Sequence, residues 1–200
     1  IYQKNTQPEQ YKRYYIDAFD TATQIIGYAE SEEAFGEQAD LINEELKRYH
    51  KLYDIYNLYG SVNNLKTINN NAGIAPVEVD KEIIDLLKFS IDLYEKTDGE
   101  IKIAMGKVLK IWHDYRTFGI DNKDQAELPS LDLLKAANEH CDINDIIIDE
   151  EASTVYLADP EMSLDVGSIG KGYAVQKVAE FAREQGYTNL VINCGGNVIS

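Results

Sequence analysis

The sequence predicts an α+β fold, a mixed sheet covered by helices, on three observations. Segments with apolar residues at three- and four-residue spacing recur along the chain, and short runs rich in β-branched residues and tyrosine alternate with them. A glycine-rich stretch, Leu164-Asp165-Val166-Gly167-Ser168-Ile169-Gly170-Lys171-Gly172-Tyr173-Ala174, joins an expected strand to an expected helix. The 200 residues, 44% apolar and 27% charged, suffice for one buried globular domain or most of a larger one. No repeat or linker divides them, so residues 1–200 read as one domain.

Residues 1–12 are polar and read as a loose lead-in. Residues 14–28 suit a strand, interrupted near Asp20 and Gly27. From 31 to 52 the spacing of Phe35, Ala39, Ile42, Leu46 and Tyr49 predicts a helix. Residues 53–73, rich in asparagine, tyrosine and glycine, predict an irregular segment with turns. A second helix is expected over 80–97, with Ile84, Leu87, Ile91 and Tyr94 on one face and Thr97-Asp98-Gly99 as its stop. A third covers 104–116, where Met105, Val108, Trp112 and Tyr115 share a face and Trp112 is expected in the core. Residues 120–129 read as an acidic loop and 131–140 as a short helix. Strands are expected at 146–149, 154–157, 163–166 and 189–193, with a helix over about 168–185 between the last two. Val198-Ile199-Ser200 looks like the beginning of one more strand, which predicts further chain beyond it.

A formal charge of −16 argues against a nucleic-acid partner, which needs clustered cations, and against adsorption to anionic lipid. An anionic small molecule stays compatible where lysines or a divalent cation create a local positive site. Cys141 and Cys194 have no zinc-site spacing and are expected as free thiols. No apolar run approaches a membrane span. Ile1 in place of a methionine suggests an artificially trimmed chain or a mature fragment.

The 164–174 stretch carries the chemistry. A strand feeding a helix through glycines lets backbone N–H groups and the helix dipole approach an anion. Lys171 adds a positive charge there, and Asp165 can hold a donor or assist a metal. The spacing is neither GxGxxG nor GxxxxGK[ST]. A structural role competes at each position: Asp165 or Ser168 as a helix cap, Lys171 as a solvated helix residue, the glycines as packing. His50, His113 and His140 have no spacing that assigns them chemistry.

Four separated segments together resemble the FAD:protein FMN transferase family, the ApbE-like flavin transferases. They are Phe19-Asp20-Thr21, similar to the family's Met-Gly-Thr; residues 54–73, with Ser61 and Asn69 matching a serine and an asparagine; residues 99–112, closing on Trp112; and 164–174 with Gly195-Gly196-Asn197, similar to LDLGGIAKGYA and GGN. The resemblance implies an ApbE-like mixed sheet. It also implies transfer of FMN from FAD to a threonine or serine hydroxyl of an acceptor protein, with release of AMP and with Mg2+. Phosphoryl transfer of this kind asks the protein mainly for positioning and electrostatics. FAD hydrolysis to FMN and AMP, a non-catalytic flavin-binding protein, and a tyrosine-rich interaction module are the alternatives.

By the same resemblance Phe19, Asn57, Glu100, Ile101, Lys102, Asp165 and Lys171 line the flavin nucleotide, and the backbone carbonyl of Ser168 is a metal ligand. Phe19 also suits a core and Asn57 a turn. Lys102 departs from the pattern, standing where relatives carry aspartate or asparagine. The family's His-x-Ile-Asp-Pro stretch and its Asp-Ala-Asp-Ala-like motif, which carries metal-ligating side chains, are not among the 200 residues. The expectation is therefore that the catalytic residues lie in a missing C-terminal part and that this chain alone is weakly active or inactive. The resemblance further implies work outside the cytoplasm, as a periplasmic protein or lipoprotein, with membrane contact only through a lipid anchor upstream of Ile1.

Overall fold

The computed structural model describes residues 8–200. In chain order the elements are β1 (Glu9–Ala18), β2 (Thr21–Ala29), α1 (Glu32–Tyr53), α2 (Leu65–Asn70), β3 (Val77–Glu78), α3 (Lys81–Lys96), α4 (Gly106–Asp121), α5 (Leu131–Asn138), β4 (Ile146–Asp149), β5 (Thr154–Leu157), α6 (Gly170–Glu184), β6 (Leu190–Cys194) and β7 (Asn197–Ile199). The described residues form two compact units, one from residues 8–51 with Ile169–Ser200, the other from Leu52–Ser168. The mixed helices and antiparallel sheets agree with the α+β expectation, but the strands make two sheets, one per unit.

In the first unit four antiparallel strands run in the order β1-β2-β6-β7. Successive side chains of a strand point to opposite faces. One face, with Thr23, Ile25, Ile192 and Cys194, is buried, while Tyr14, Ile16 and Tyr28 are exposed. The predicted α1 stripe of Phe35, Ala39, Ile42, Leu46 and Tyr49 is buried throughout. On α6 the buried residues are Ala174, Val175, Val178, Ala179 and Ala182, again at helical spacing. Each fully buried large side chain here, such as Ile42 or Leu46, contributes about 1.5–3 kcal/mol relative to exposure.

Two sequence expectations need correction in this unit. The lead-in at 1–12 lies outside the described residues up to 7, but Glu9 to Lys12 belong to β1 and pair with residues of β2. The 14–28 segment is a hairpin, with Phe19 and Asp20 in its two-residue turn at φ 54° and 50°. Two successive left-handed residues match the twist of the flanking strands. Phe19 therefore sits at a turn and not in a strand, and Gly27 lies within β2 without interrupting it.

In the second unit a three-stranded antiparallel sheet, β3-β5-β4, carries Val155 and Leu157 into a core with Leu65, Ile68, Leu86, Leu87 and Ile103. The irregular 53–73 segment contains α2, which starts on a capping box in which the Asn64 side chain accepts from the Thr67 N–H and the Thr67 hydroxyl accepts from the Asn64 N–H. Helix α3 ends where Asp98 and Gly99 take positive φ, as the stop signal predicts. A side-chain cap at Ser130 starts α5, and Val108, Ala137 and Cys141 form a small apolar cluster where α4 meets it.

Three further expectations change here. Helix α4 runs on to Asp121 and is followed by a short 3-10 turn over Lys123–Gln125, so only the rest of 120–129 is loop. Residues 163–166 form no strand and pair with none among the described residues: their backbone bonds go to Ile103, to Gly106 and to the Asn69 side chain. Trp112 is 43% exposed and does not pack the core.

Candidate functional site

Each unit gathers part of the sequence-predicted site. In the second unit a cleft of about 460 Å³ opens between α2, the first turns of α4 and the 163–165 segment. Asn69 builds one wall: its amide donates to the Leu164 carbonyl at 3.0 Å and its oxygen accepts the Leu164 N–H at 2.7 Å. That two-bond clamp replaces a strand partner. The opposite wall is the entry to α4, where the Asp165 N–H donates to the Ile103 carbonyl at 2.8 Å and the Gly106 N–H to the Ser163 carbonyl at 3.0 Å. A β-carbon at Gly106 would lie 2.6 Å from the Ser163 carbonyl oxygen, so only glycine permits this approach.

Asp165 is half-buried between these walls. Its Oδ1 accepts the Gly167 N–H at 2.8 Å, which orients the carboxylate, and Oδ2 has no protein partner among the described residues. Lys66, Lys110 and Asp114 also line the cleft. Lys110 is paired to Asp114 at 2.6 Å, which leaves Lys66 and Asp165 as the cleft's lysine and aspartate with no ion pair among the described residues. In a chain of net charge −16, a cleft lined by two lysines and two aspartates is locally balanced. A wider apolar depression of about 780 Å³, with Trp112, Ile120, Leu128 and Pro129, shares Tyr56, Leu109, His113 and Asp165 with it. An apolar cleft with a few convergent polar groups is the usual form of a small-molecule site.

Several predicted residues lie elsewhere. The Asn57 amide donates to Asp54 Oδ2 at 2.9 Å, its N–H donates to Asp54 Oδ1, and its carbonyl accepts from Asn64, so it is committed to its own loop. Burial pushes the Asp54 carboxyl up, but hydrogen bonds from the Asn57 side chain, the Tyr56 N–H, the Tyr59 hydroxyl and the Asn57 N–H outweigh it. They hold that carboxyl below the usual range. This web presents Ile55 and Tyr56 to the cleft instead of Asn57. Ser61 is exposed and outside the cleft. Glu100, Ile101 and Lys102 do not line it either; Glu100 is exposed, the Ile101 N–H donates to the Thr97 hydroxyl, and the Lys102 ammonium lies 6.0 Å from the Tyr94 ring centre. They lead into Ile103, which anchors Asp165.

The first unit holds the remaining segments. Phe19, at positive φ, donates its N–H to His50 Nδ1 at 3.2 Å and sets its ring edge-on to the imidazole at 5.5 Å. Bulky residues rarely adopt this backbone conformation, and strain of this kind clusters at functional turns. Beside it, Thr21 packs on Gly195, where a β-carbon would lie 2.4 Å from the threonine hydroxyl. The first turn of α6 lies against the same Gly195-Gly196-Asn197 turn, with Gly172 facing the Asn197 amide oxygen. Lys171 is half-buried in that first turn. Ile169, not Ser168, occupies the N-cap, and no side chain caps the helix. The leading N–H groups of α6 are thus left for other acceptors.

Ser168 is exposed in the 167–169 turn. Among the described residues no three His, Cys, Asp or Glu side chains gather so as to hold a metal ion. Magnesium takes about six oxygens, so the Ser168 carbonyl by itself does not fit a magnesium site. Sequence reasoning missed Tyr56, Lys66 and His113. The last was legible: Gly106, Lys110 and His113 share an α4 face adjoining the stripe read as core.

The ApbE family model matches residues 19–200, all of the elements above from the hairpin turn onward. The chain belongs to the ApbE family. Its similarity extends to the FAD:protein FMN transferase of Treponema pallidum (strain Nichols), 31% identical over 141 residues, covering 68% of this chain and 37% of that protein. It is also similar to the FAD:protein FMN transferase of Klebsiella pneumoniae (strain 342), 30% identical over 153 residues, covering 76% and 45%. Among solved ApbE folds, the ApbE protein of Thermotoga maritima superposes with a TM-score of 0.75 at 23% identity, covering 94% of this chain and 57% of that one. The flavin transferase ApbE from Vibrio cholerae gives 0.76 at 21% identity, covering 95% and 58%. The chain spans about half the length of these ApbE relatives.

Proposed function

We propose that the protein transfers FMN from FAD to a threonine or serine hydroxyl of an acceptor protein. The hydroxyl oxygen bonds to the FMN phosphorus, its proton passes to a base, the pyrophosphate P–O bond breaks and AMP leaves. The observation that carries this reading is the Asp165 cleft, built by family-like segments and locally balanced in a strongly acidic chain. Asp165 Oδ2 is oriented to accept a donor from the nucleotide, Lys66 offers charge to phosphate, and Tyr56, Leu109 and Trp112 offer apolar surface to a ring. In the first unit the uncapped start of α6 and Lys171 supply N–H groups and an ammonium suited to phosphate oxygens.

Magnesium belongs to the proposal through the family resemblance and the phosphoryl chemistry alone. The described residues do not form its shell, so no step here passes through it. The extracytoplasmic setting, with a lipid anchor upstream or a periplasmic protein, is likewise part of the proposal and rests on family resemblance. Because this chain by itself is expected to be weakly active or inactive, the test is incubation of the protein together with the C-terminal family segments expected above, with FAD, magnesium and a serine- or threonine-bearing acceptor. Covalent flavin fluorescence on the acceptor with one AMP per flavin supports the reading. Bound FAD with no AMP released overturns it, and free FMN formed without acceptor would make the protein a hydrolase.

A further inference from the structure

Asp54 keeps a carboxylate 8% exposed, with no ion pair among the described residues. A buried charge is normally matched by an opposite one. Here four donors take that place, and they divide between the two oxygens. Oδ1 accepts the Tyr56 N–H at 2.6 Å and the Asn57 N–H at 3.0 Å; Oδ2 accepts the Asn57 amide at 2.9 Å and the Tyr59 hydroxyl at 2.8 Å. The Asp54 carbonyl accepts the Lys66 N–H at 3.0 Å, and the Asn57 carbonyl accepts the Asn64 amide at 2.9 Å. Asn64 caps α2, so the loop is fastened to the start of the helix that carries Lys66 and Asn69 to the cleft.

The Oδ1 bonds set Tyr56. Residues 54–58 belong to no helix or strand, and a carboxylate oxygen that accepts the N–H two residues on closes a turn in their stead. The Tyr56 side chain is exposed, yet its ring centre stands 6.1 Å from that of His113, with the planes at 39°. Both rings line the cleft and the apolar depression, so the pair stands where the two join. His113 comes from α4, a regular helix; Tyr56 comes from the loop that Asp54 shapes. A ligand that must order a side chain loses affinity, and holding the backbone beneath that side chain in advance lowers the cost.

We propose that Asp54 is a positioning residue for the site: its carboxylate holds Tyr56 beside His113, and this pair is the shelf on which a planar ring of the ligand lies. The part that concerns the ligand rests on the flavin-nucleotide reading above. Asp54 itself lines neither cavity, so its effect on a bound ring passes through Tyr56. A stacking contact between aromatic rings corresponds to about ten-fold in affinity.

Two measurements test this. Without ligand, the NMR cross-peak between Tyr56 and His113 ring protons is expected in the natural protein and in Tyr59→Phe. It is also expected in Asp54→Asn, whose amide oxygen still accepts the Tyr56 N–H, and is expected to vanish in Asp54→Ala. With FAD, read by flavin fluorescence, Tyr56→Ala and Asp54→Ala are each expected to bind about ten-fold more weakly, and the double variant no more weakly than Tyr56→Ala alone. Tyr59→Phe removes a bond to the same carboxylate and lowers stability, but it spares Oδ1. It and Asp54→Asn are expected to bind FAD within about two-fold of the natural protein. Should Asp54→Ala fail to fold, Asp54→Ser replaces it. Its hydroxyl holds the Tyr56 N–H more weakly, so a loss of about three-fold is expected, again absent when Tyr56 is alanine. A cross-peak that survives Asp54→Ala overturns the proposal, as does FAD affinity indifferent to Tyr56→Ala. So does a double variant weakened about a hundred-fold, or Tyr59→Phe losing as much affinity as Asp54→Ala. A cross-peak that follows Asp54 in a protein that binds no FAD supports the positioning and instead overturns the flavin reading of the cleft.

Discussion

Gly106→Ala is the perturbation whose cost the geometry defines best. The added methyl would stand 2.6 Å from both the Ser163 carbonyl oxygen and hydroxyl and 2.9 Å from its carbonyl carbon. Backbone cannot rotate out of the way as a flexible side-chain tip can, so α4 and the 163–165 segment must part by roughly 0.8 Å to reach ordinary contact. Overpacking of this kind costs about 1–3 kcal/mol. Weakening the Gly106 N–H to Ser163 bond, 3.0 Å in the native arrangement, adds about 1 kcal/mol. Alanine returns up to about 1 kcal/mol of helix propensity, less at the first helical position. The net is a loss of about 2–3 kcal/mol, or roughly 5–10 °C in melting temperature for a chain of this size. Calorimetry measures the first effect and flavin fluorescence titration a second, weakened FAD binding as Asp165 is displaced. A variant that melts within 1 °C of the natural protein (about the measurement error) and binds FAD equally would refute the close-approach argument.

Asn69→Leu removes both bonds of the Leu164 clamp and leaves the Leu164 N–H and carbonyl unpartnered, so a loss of about 2–4 kcal/mol is expected in urea unfolding. Phe19→Asn should stay within about 1 kcal/mol of the natural protein, because relief of positive-φ strain offsets the lost ring contact with His50, whereas Phe19→Val should destabilise by more than about 1 kcal/mol; equal melting temperatures for the two variants would contradict this. The Asp54 carboxyl is held below its unfolded value by four hydrogen-bond donors, so its stabilisation is complete above the unfolded pKa and lost as pH falls through the folded one. Urea midpoints between pH 2.5 and 5 should therefore fall less steeply with acid in Asp54→Asn than in the natural protein. Asp165→Asn should weaken FAD about ten-fold, the effect of removing a charge-assisted hydrogen bond, while moving the melting temperature by only a few degrees.

The regular elements were the legible part. The α1 stripe and the Thr97-Asp98-Gly99 stop of α3 follow local periodicity and turn chemistry, and both hold in three dimensions. What escaped depends on distant partners. Residues 163–166 have the composition of a strand, but their hydrogen bonds go to a side chain 95 positions away and to the entry of α4, and no local pattern announces that. Phe19 looked like a strand residue because an aromatic in a type I′ turn violates the usual glycine and asparagine preference. Trp112 looked like core because an amphipathic stripe does not say whether its face meets another element or a cleft. Asp165 and Asn69 were singled out by motif, and the structure brings both to one cleft. Asn57 was singled out too, and its neighbour Tyr56 is the residue that reaches the cleft.

The most direct measurement is a crystal structure of the protein soaked with FAD. The nucleotide should occupy the cleft walled by Asn69, Gly106 and Asp165, with a donor of the ligand within hydrogen-bond distance of Asp165 Oδ2. FAD bound with that cleft empty, and Asp165 untouched, would contradict the assignment of the site.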